Sequence, residues 1–173
     1  RIVSLSADAS QRNVTLGQEA DHYHVRLRTT ATNRNGLPPT STPPGTARTS
    51  LTHVVFTRDT AGNSRVYING QQRASRKIAG DLSGWNGRFP LSLADEVTGD
   101  RPWLGTFYLV ALYGRALTAD EVYATTAFEL YRNDIIEEPD VLDAETLPKI
   151  RMPNRDNFLP AHPGWEPGAK RPF

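Results

Sequence analysis

The 173 residues include no cysteine, which excludes disulfides, cysteine nucleophiles and thiolate metal sites within this chain. An excess of charge of one sign is also missing. Twenty Lys and Arg face 19 Asp and Glu, leaving a formal charge of +1 and no whole-molecule field that would draw nucleic acid. No run approaches the roughly 18 apolar residues of a spanning helix. The opening RIVSLSADAS lacks the charged-then-apolar order of a signal peptide. Because the chain starts at Arg1 rather than Met, sequence upstream is expected, and an export signal or anchor could lie there. What is present suits a loop-rich domain with an ordinary core: 38% hydrophobic residues, 9% aromatics, and 13 each of Gly and Pro. The length fits one compact domain and is too short for two large ones.

The first two-thirds reads as short strands. Ile2, Val3 and Leu5 form a β-prone run, and Val14, Thr15 and Leu16 another, joined like a hairpin across Asp8 to Asn13. His22 to Thr30 alternates, with Tyr23, Val25 and Leu27 on one face and His22, His24, Arg26 and Arg28 on the other, which predicts a half-buried strand. From Thr32 to Ser50 two Pro pairs remove backbone donors, predicting a long surface loop. Strand signal returns at Thr52 to Arg58 and at Arg65 to Asn69, either side of the polar turn DTAGNS. Asn69-Gly70 fits a type I′ turn, and Gln71 to Lys77 returns as the third strand of a meander. After the loop Gly80 to Arg88, alternation at Phe89, Leu91 and Leu93 behind Pro90 predicts an edge strand. Pro102 to Gly114 is the most apolar stretch and predicts a strand covered on both faces.

One helix is signalled locally. Thr118 and Glu121 have capping-box spacing, Leu117 and Val122 have that of a hydrophobic staple, and Ala124, Ala127, Phe128 and Tyr131 supply an apolar stripe. The helix is expected over Ala119 to Tyr131. Beyond Arg132 the texture changes, with seven of the 13 prolines in the last 42 residues. Residues 1–131 therefore read as the domain and 132–173 as an extended Pro-rich tail or docking arm, whose anchors would be Phe158, Leu159, Trp165 and Phe173.

The order THVVFTRD, RVYINGQ, a Gly-rich loop and GTFYLVALYGRALTADEV resembles laminin G-like, concanavalin A-like domains of the bacterial type, over about Arg1 to Phe128. The resemblance implies an all-β fold: a concanavalin A-like antiparallel β-sandwich, or jelly roll, with one short C-terminal helix. It also implies that Gly105 to Tyr113 is the closing strand, that further strands precede Ile2 to Ser6, and that the location is periplasmic or extracellular. On that expectation the sandwich is N-terminally incomplete in this stretch of sequence, or completed by material supplied elsewhere.

Chemistry is sparser. A glycoside hydrolase on a related fold needs two carboxylates on one concave face. The adjacent pairs Asp95-Glu96 and Asp120-Glu121 do not supply such a pair within a strand, where neighbours point to opposite faces. The expectation is a non-catalytic module, with a hydrolase as the weakest alternative. Four scattered histidines make no zinc signature, and the face bearing His22 and His24 reads as solvated or partner-facing. No cofactor is expected; calcium is conceivable at Asp95 and Asp100. Tyr108-Leu109 stands where many family members carry an Asp-Glu pair, which weakens that inference. The sequon Asn13-Val14-Thr15 has little weight by itself.

For carbohydrate, Trp85 with Asn86 offers an aromatic platform and a hydrogen-bonding group, whereas Trp103 at a strand start reads as core. Protein binding fits more of the chain: Arg26 and Arg28, Arg73 and Arg76, and the tail anchors Phe158, Trp165 and Phe173 are candidate contacts. The leading expectation is a protein-binding accessory subunit of an extracytoplasmic or membrane-associated assembly. A lectin-like domain is the alternative.

Overall fold

A computed structural model describes residues 1–132, with side chains through residue 128. The proposed tail anchors Phe158, Leu159, Trp165 and Phe173 lie outside the described residues. Eight strands and one helix follow in order: β1 Val3–Ser6, β2 Arg12–Glu19, β3 His22–Leu27, β4 Thr40–Ser41, β5 Val54–Arg58, β6 Asn63–Ile68, β7 Gln71–Lys77, β8 Leu91–Leu93 and α1 Ala119–Arg132. They make two antiparallel sheets, one of order β4-β3-β2-β1-β8 and one of order β5-β6-β7.

Alternation along the strands explains why two sheets are needed. Tyr23 and Val25 of β3 and Val66 and Ile68 of β6 point into one buried cluster with Ile2, so each sheet removes the other's apolar face from water. Tyr67, between Val66 and Ile68, points the opposite way and packs with Leu117 and Val122. β6 is thus covered on one side by the five-stranded sheet and on the other by α1. The meander forms as its turn residues dictate. Asn69 and Gly70 both adopt positive φ, 48° and 78°, as a type I′ turn requires.

The start of α1 matches its sequence signature. Glu121 N–H donates to Thr118 Oγ1 at 3.2 Å while Thr118 N–H donates to Glu121 Oε2 at 2.8 Å, and Leu117 and Val122 are both buried. Arg115 adds two contacts to the Glu121 carboxylate, at 2.8 and 2.7 Å, and holds its pKa down at about 2.

Two expectations are corrected. The Thr32 to Ser50 loop contains a strand, β4, whose Thr40 and Ser41 sit between the Pro pairs and pair with Val25 and His24. Two residues suffice because β4 lies on a sheet edge, where only one side needs hydrogen bonds. More consequentially, Pro102 to Gly114 is not a strand among the described residues. Among the described residues no backbone group from Leu104 to Leu117 bonds another backbone group. Trp103 and Phe107 turn inward against the core, with ring centroids 5.1 Å apart. Leu104 and Leu112 are left 95% and 73% exposed, with Tyr108 and Tyr113 also exposed. The apolar pattern is real, but no described strand flanks the segment on the side that would complete its ladder.

Candidate functional site

Three regions carry chemistry: the outer face of the five-stranded sheet, the Trp85 loop, and the apolar segment after Trp103.

The outer face is polar and covered. Ser4 pairs across to Thr15, Thr15 to Arg26, and Gly17 to His24, which puts these side chains on the face turned away from the apolar core. Ser4, Ser6 and Thr15 are buried and linked, with Ser4 Oγ 2.7 Å from Ser6 Oγ and 3.4 Å from Thr15 Oγ1. Their small size leaves room for arginine. Arg12 lies fully buried on this floor, donating from Nη1 to Thr15 Oγ1 at 3.1 Å and from Nη2 to the Ala9 carbonyl. A Cβ on Gly17 would come within 2.7 Å of His24 Nε2 and 3.4 Å of Arg1 Nη1, so glycine allows both side chains to lie against the sheet.

Glu96 closes this face. Its loop is pinched at the base by Trp103 N–H donating to the Ala94 carbonyl, and Asp95 Oδ1 accepts the backbone N–H groups of Glu96 and Arg101 at 2.7 and 2.9 Å. This turns the Glu96 side chain inward to 2% exposure, where Arg1 Nε, Arg12 Nη1 and Arg101 Nε stand 3.3, 3.5 and 3.7 Å from its carboxylate. Burial pulls the Arg12 pKa down to about 10, with Glu96 opposing the shift. His24 is held well below the usual histidine range, at about 4, by burial first and then by Arg1 and Arg26.

The His22–His24–Arg26–Arg28 face, expected to be solvated or partner-facing, is corrected at His24, which is 4% exposed. Arg26 is half-buried, with Nη1 3.3 Å from Asn35 Oδ1. Loop 94–101 folds over the face, a feature that strand periodicity does not encode. Arg12 and Glu96 were missed by the sequence reading. The alternation of Ser4 and Ser6 with Val3 and Leu5 was the available signal for a polar floor, but no local pattern marks Glu96.

A pH dependence follows. The folded-state pKa of His24 lies below the unfolded value of 6.5, so the unfolded chain binds the extra proton and stability falls as pH drops from about 6.5 towards 4. Glu121, whose carboxylate pKa is lowered from 4.5 to about 2, adds a loss of the same sign in the lower window. Urea midpoints measured between pH 7 and 4.5 should fall in the wild type, and the slope should flatten in His24→Gln; an unchanged slope would remove His24 as its source.

Trp85 is half-buried rather than fully exposed. Its Nε1 donates to the Arg28 carbonyl at 2.8 Å, and its backbone N–H to Leu82 O at 3.0 Å. Asn86 is exposed but its backbone is fixed: Asn13 Nδ2 donates to Asn86 O at 2.8 Å, and Asn86 N–H donates to Asn13 Oδ1 at 3.0 Å. Asn86 Oδ1 accepts Arg88 N–H. These bonds bury Asn13 and occupy its amide, so the sequon is not a modification site in this conformation. The structure brings Trp85 beside Arg28 through the Nε1 bond, while Arg73 and Arg76 are exposed on β7, where Arg76 Nη1 donates to Pro39 O at 3.2 Å.

Asp95 and Asp100 share the Glu96 loop but serve it internally, Asp95 as described and Asp100 through Thr98 Oγ1 and, at 3.8 Å, Arg101 Nε. Among the described residues no group of three or more His, Cys, Asp or Glu side chains could hold a metal ion.

The third region is apolar. A cavity of about 310 Å³ lies between the sheets, lined by core-facing residues such as Val14, Leu16, Val54 and Phe56 and bounded by Trp103 to Tyr113. β5 is an edge strand, paired only with β6, and its Val54, Val55 and Phe56 are half-buried.

The family model of the concanavalin A-like lectin/glucanases superfamily matches residues 1–123. The chain belongs to this superfamily. Membership accounts for the two stacked sheets and for the order of meander, loop and terminal helix that the sequence displays. Among solved structures, residues 221–444 of an S-layer domain-containing protein from Clostridium thermocellum are 17% identical, with 70% of this chain and 58% of that chain covered and a TM-score of 0.35. The chain thus spans less than two-thirds of that structure. No curated protein matches. No helix among the described residues is long and apolar enough to cross a membrane. Tyr108 and Leu109 lie on the exposed segment rather than in a strand and present apolar surface.

Proposed function

We propose that this domain is a non-catalytic recognition module that binds protein, as an accessory part of an extracytoplasmic or membrane-associated assembly. The observation that carries the reading is the exposed apolar segment Leu104 to Tyr113 beside the free edge of β5. Contiguous apolar surface of this kind marks interaction sites. A free strand edge offers main-chain hydrogen bonds to an added strand, with pockets for alternate side chains supplying selectivity. The half-buried Val54 and Phe56 and the cavity behind them provide such pockets. Exposed Arg73 and Arg76 add a basic rim on the same three-stranded sheet. The extracytoplasmic setting is supported by the superfamily.

A lectin-like second reading rests on Trp85, whose ring stays partly accessible while its indole N–H is spent on Arg28. That leaves a stacking face and the exposed Asn86 for a sugar.

The test is site-specific photocrosslinking in cells that make the protein, with the crosslinking residue placed at Leu104, at Leu112 and, as a control, at exposed Asp81. Discrete protein adducts at Leu104 and Leu112 but not at Asp81 are expected. Equal or absent crosslinking at all three positions would refute the protein-binding reading.

A further inference from the structure

We infer that the outer face of the five-stranded sheet is an anion site, in which Arg1, Arg12, Arg26 and Arg101 hold an oxyanionic group of a ligand and Glu96 occupies the site in its absence. The site shares no residue with the apolar segment proposed for protein binding, so either can fail without the other.

The first support is an imbalance of charge. Three guanidinium groups, those of Arg1, Arg12 and Arg101, stand within 4 Å of one buried carboxylate, and Arg26 adds a fourth positive charge that interacts with theirs; the other acidic group acting on Arg26 and His24 is Glu19, which is exposed at the rim. Asp100 also touches Arg101, but from the solvent side. Burying cations without matching anions is costly, and a fold retains such an arrangement when something repays it.

The second support is unspent hydrogen-bonding capacity. Among the described residues Arg12 Nε, Arg26 Nε and His24 Nδ1 have no hydrogen-bond partner, and neither does Glu96 Oε1. Each guanidinium has five N–H donors, and a carboxylate has two oxygens to offer. The three contacts to Glu96, at 3.3 to 3.7 Å, are long for charge-assisted bonds, which run near 2.7–2.9 Å. Glu96 therefore fills the space without satisfying it. Planar guanidinium forks match carboxylate, sulfate and phosphate oxygens, and the set converges on one point from three directions.

The third support is access. Arg101 is half-exposed at the edge of the cluster, and Glu96 sits on a loop closed at its base by the Trp103-to-Ala94 hydrogen bond, so the carboxylate can leave without breaking either sheet. The Ser4, Ser6 and Thr15 floor keeps the polar surface in place when it does.

The experiment is thermal unfolding of the purified chain in inorganic phosphate, sulfate or acetate, each against chloride at the same ionic strength. A ligand that binds the folded state raises the midpoint in a saturable way. Saturable stabilisation by at least one oxyanion is expected, and the anion that acts at lowest concentration identifies a phosphate-, sulfate- or carboxylate-bearing ligand. The rise should be lost in Arg26→Gln and in Arg101→Gln, and Glu96→Gln should bind the same anion at least tenfold more tightly. The two arginine variants decide the matter should Glu96→Gln fail to fold. No saturable rise with any of the three anions, or an equal rise in the wild type and both arginine variants, would overturn the assignment.

Discussion

Glu96→Gln is expected to lower the unfolding free energy by about 3–5 kcal/mol in chloride buffer, the scale of breaking a buried ion pair from one side. The size follows from what the variant leaves behind. Arg12 is fully buried and Arg1 nearly so, and both lose their charge partner while neither gains exposure. The amide fills nearly the same volume, so lost packing contributes little and the change isolates charge. Denaturant titration at neutral pH checks it. A loss under about 1 kcal/mol would show that water screens the cluster as it screens a surface pair.

The second large effect concerns the apolar core between the two sheets, where β6 of the three-stranded sheet faces the five-stranded one. Ile68→Ala is expected to cost about 2–5 kcal/mol, the range for truncating a buried isoleucine. Ile68 packs with Ile2, Tyr23, Val25 and Val66, a cluster that joins β6 to β3 across the space between the sheets. Ile68 is buried and does not itself line the cavity, although Ile2, Tyr23 and Val25 of its cluster do, so its methyl groups are packed on the side away from the open space. Val54→Ala, at the cavity wall, should cost distinctly less. Comparing the two by denaturant midpoint separates the packed part of the sandwich from the open part; equal losses would mean that the cavity walls are packed as tightly as the centre.

Much of this architecture was legible in the chain. β-Prone runs locate β1, β2, β5 and β6, period-two alternation locates β3 and β8, Asn69-Gly70 locates the meander turn and with it β7, and Thr118 with Glu121 locates the start of α1, because each signal is local and its physics is local. The failures were non-local. The Leu104 to Tyr113 pattern announces strand-forming side chains but not whether a neighbour is present to accept their hydrogen bonds. The His24 and Arg26 face reads as solvated or partner-facing because alternation reports which residues share a face and is silent about a loop folding over it. Glu96 illustrates the limit well: its importance comes from lying opposite Arg1 and Arg12, about 90 residues away in sequence. The sequence places Trp85 in a loop, but its bond to the Arg28 carbonyl depends on tertiary placement. The tail anchors Phe158, Trp165 and Phe173 lie beyond the described residues.

On the proposed function, Leu104 to Tyr113 keeps its backbone free and its apolar side chains displayed for another chain. Amide hydrogen exchange on the purified protein, read residue by residue, tests this most directly. Amides from Gly105 to Tyr113 should exchange at nearly unprotected rates, while those of Val25 and Val66 are protected to the level of global unfolding. Protection of Gly105 to Tyr113 matching that of Val66 would show a closing strand already paired, and would contradict the account.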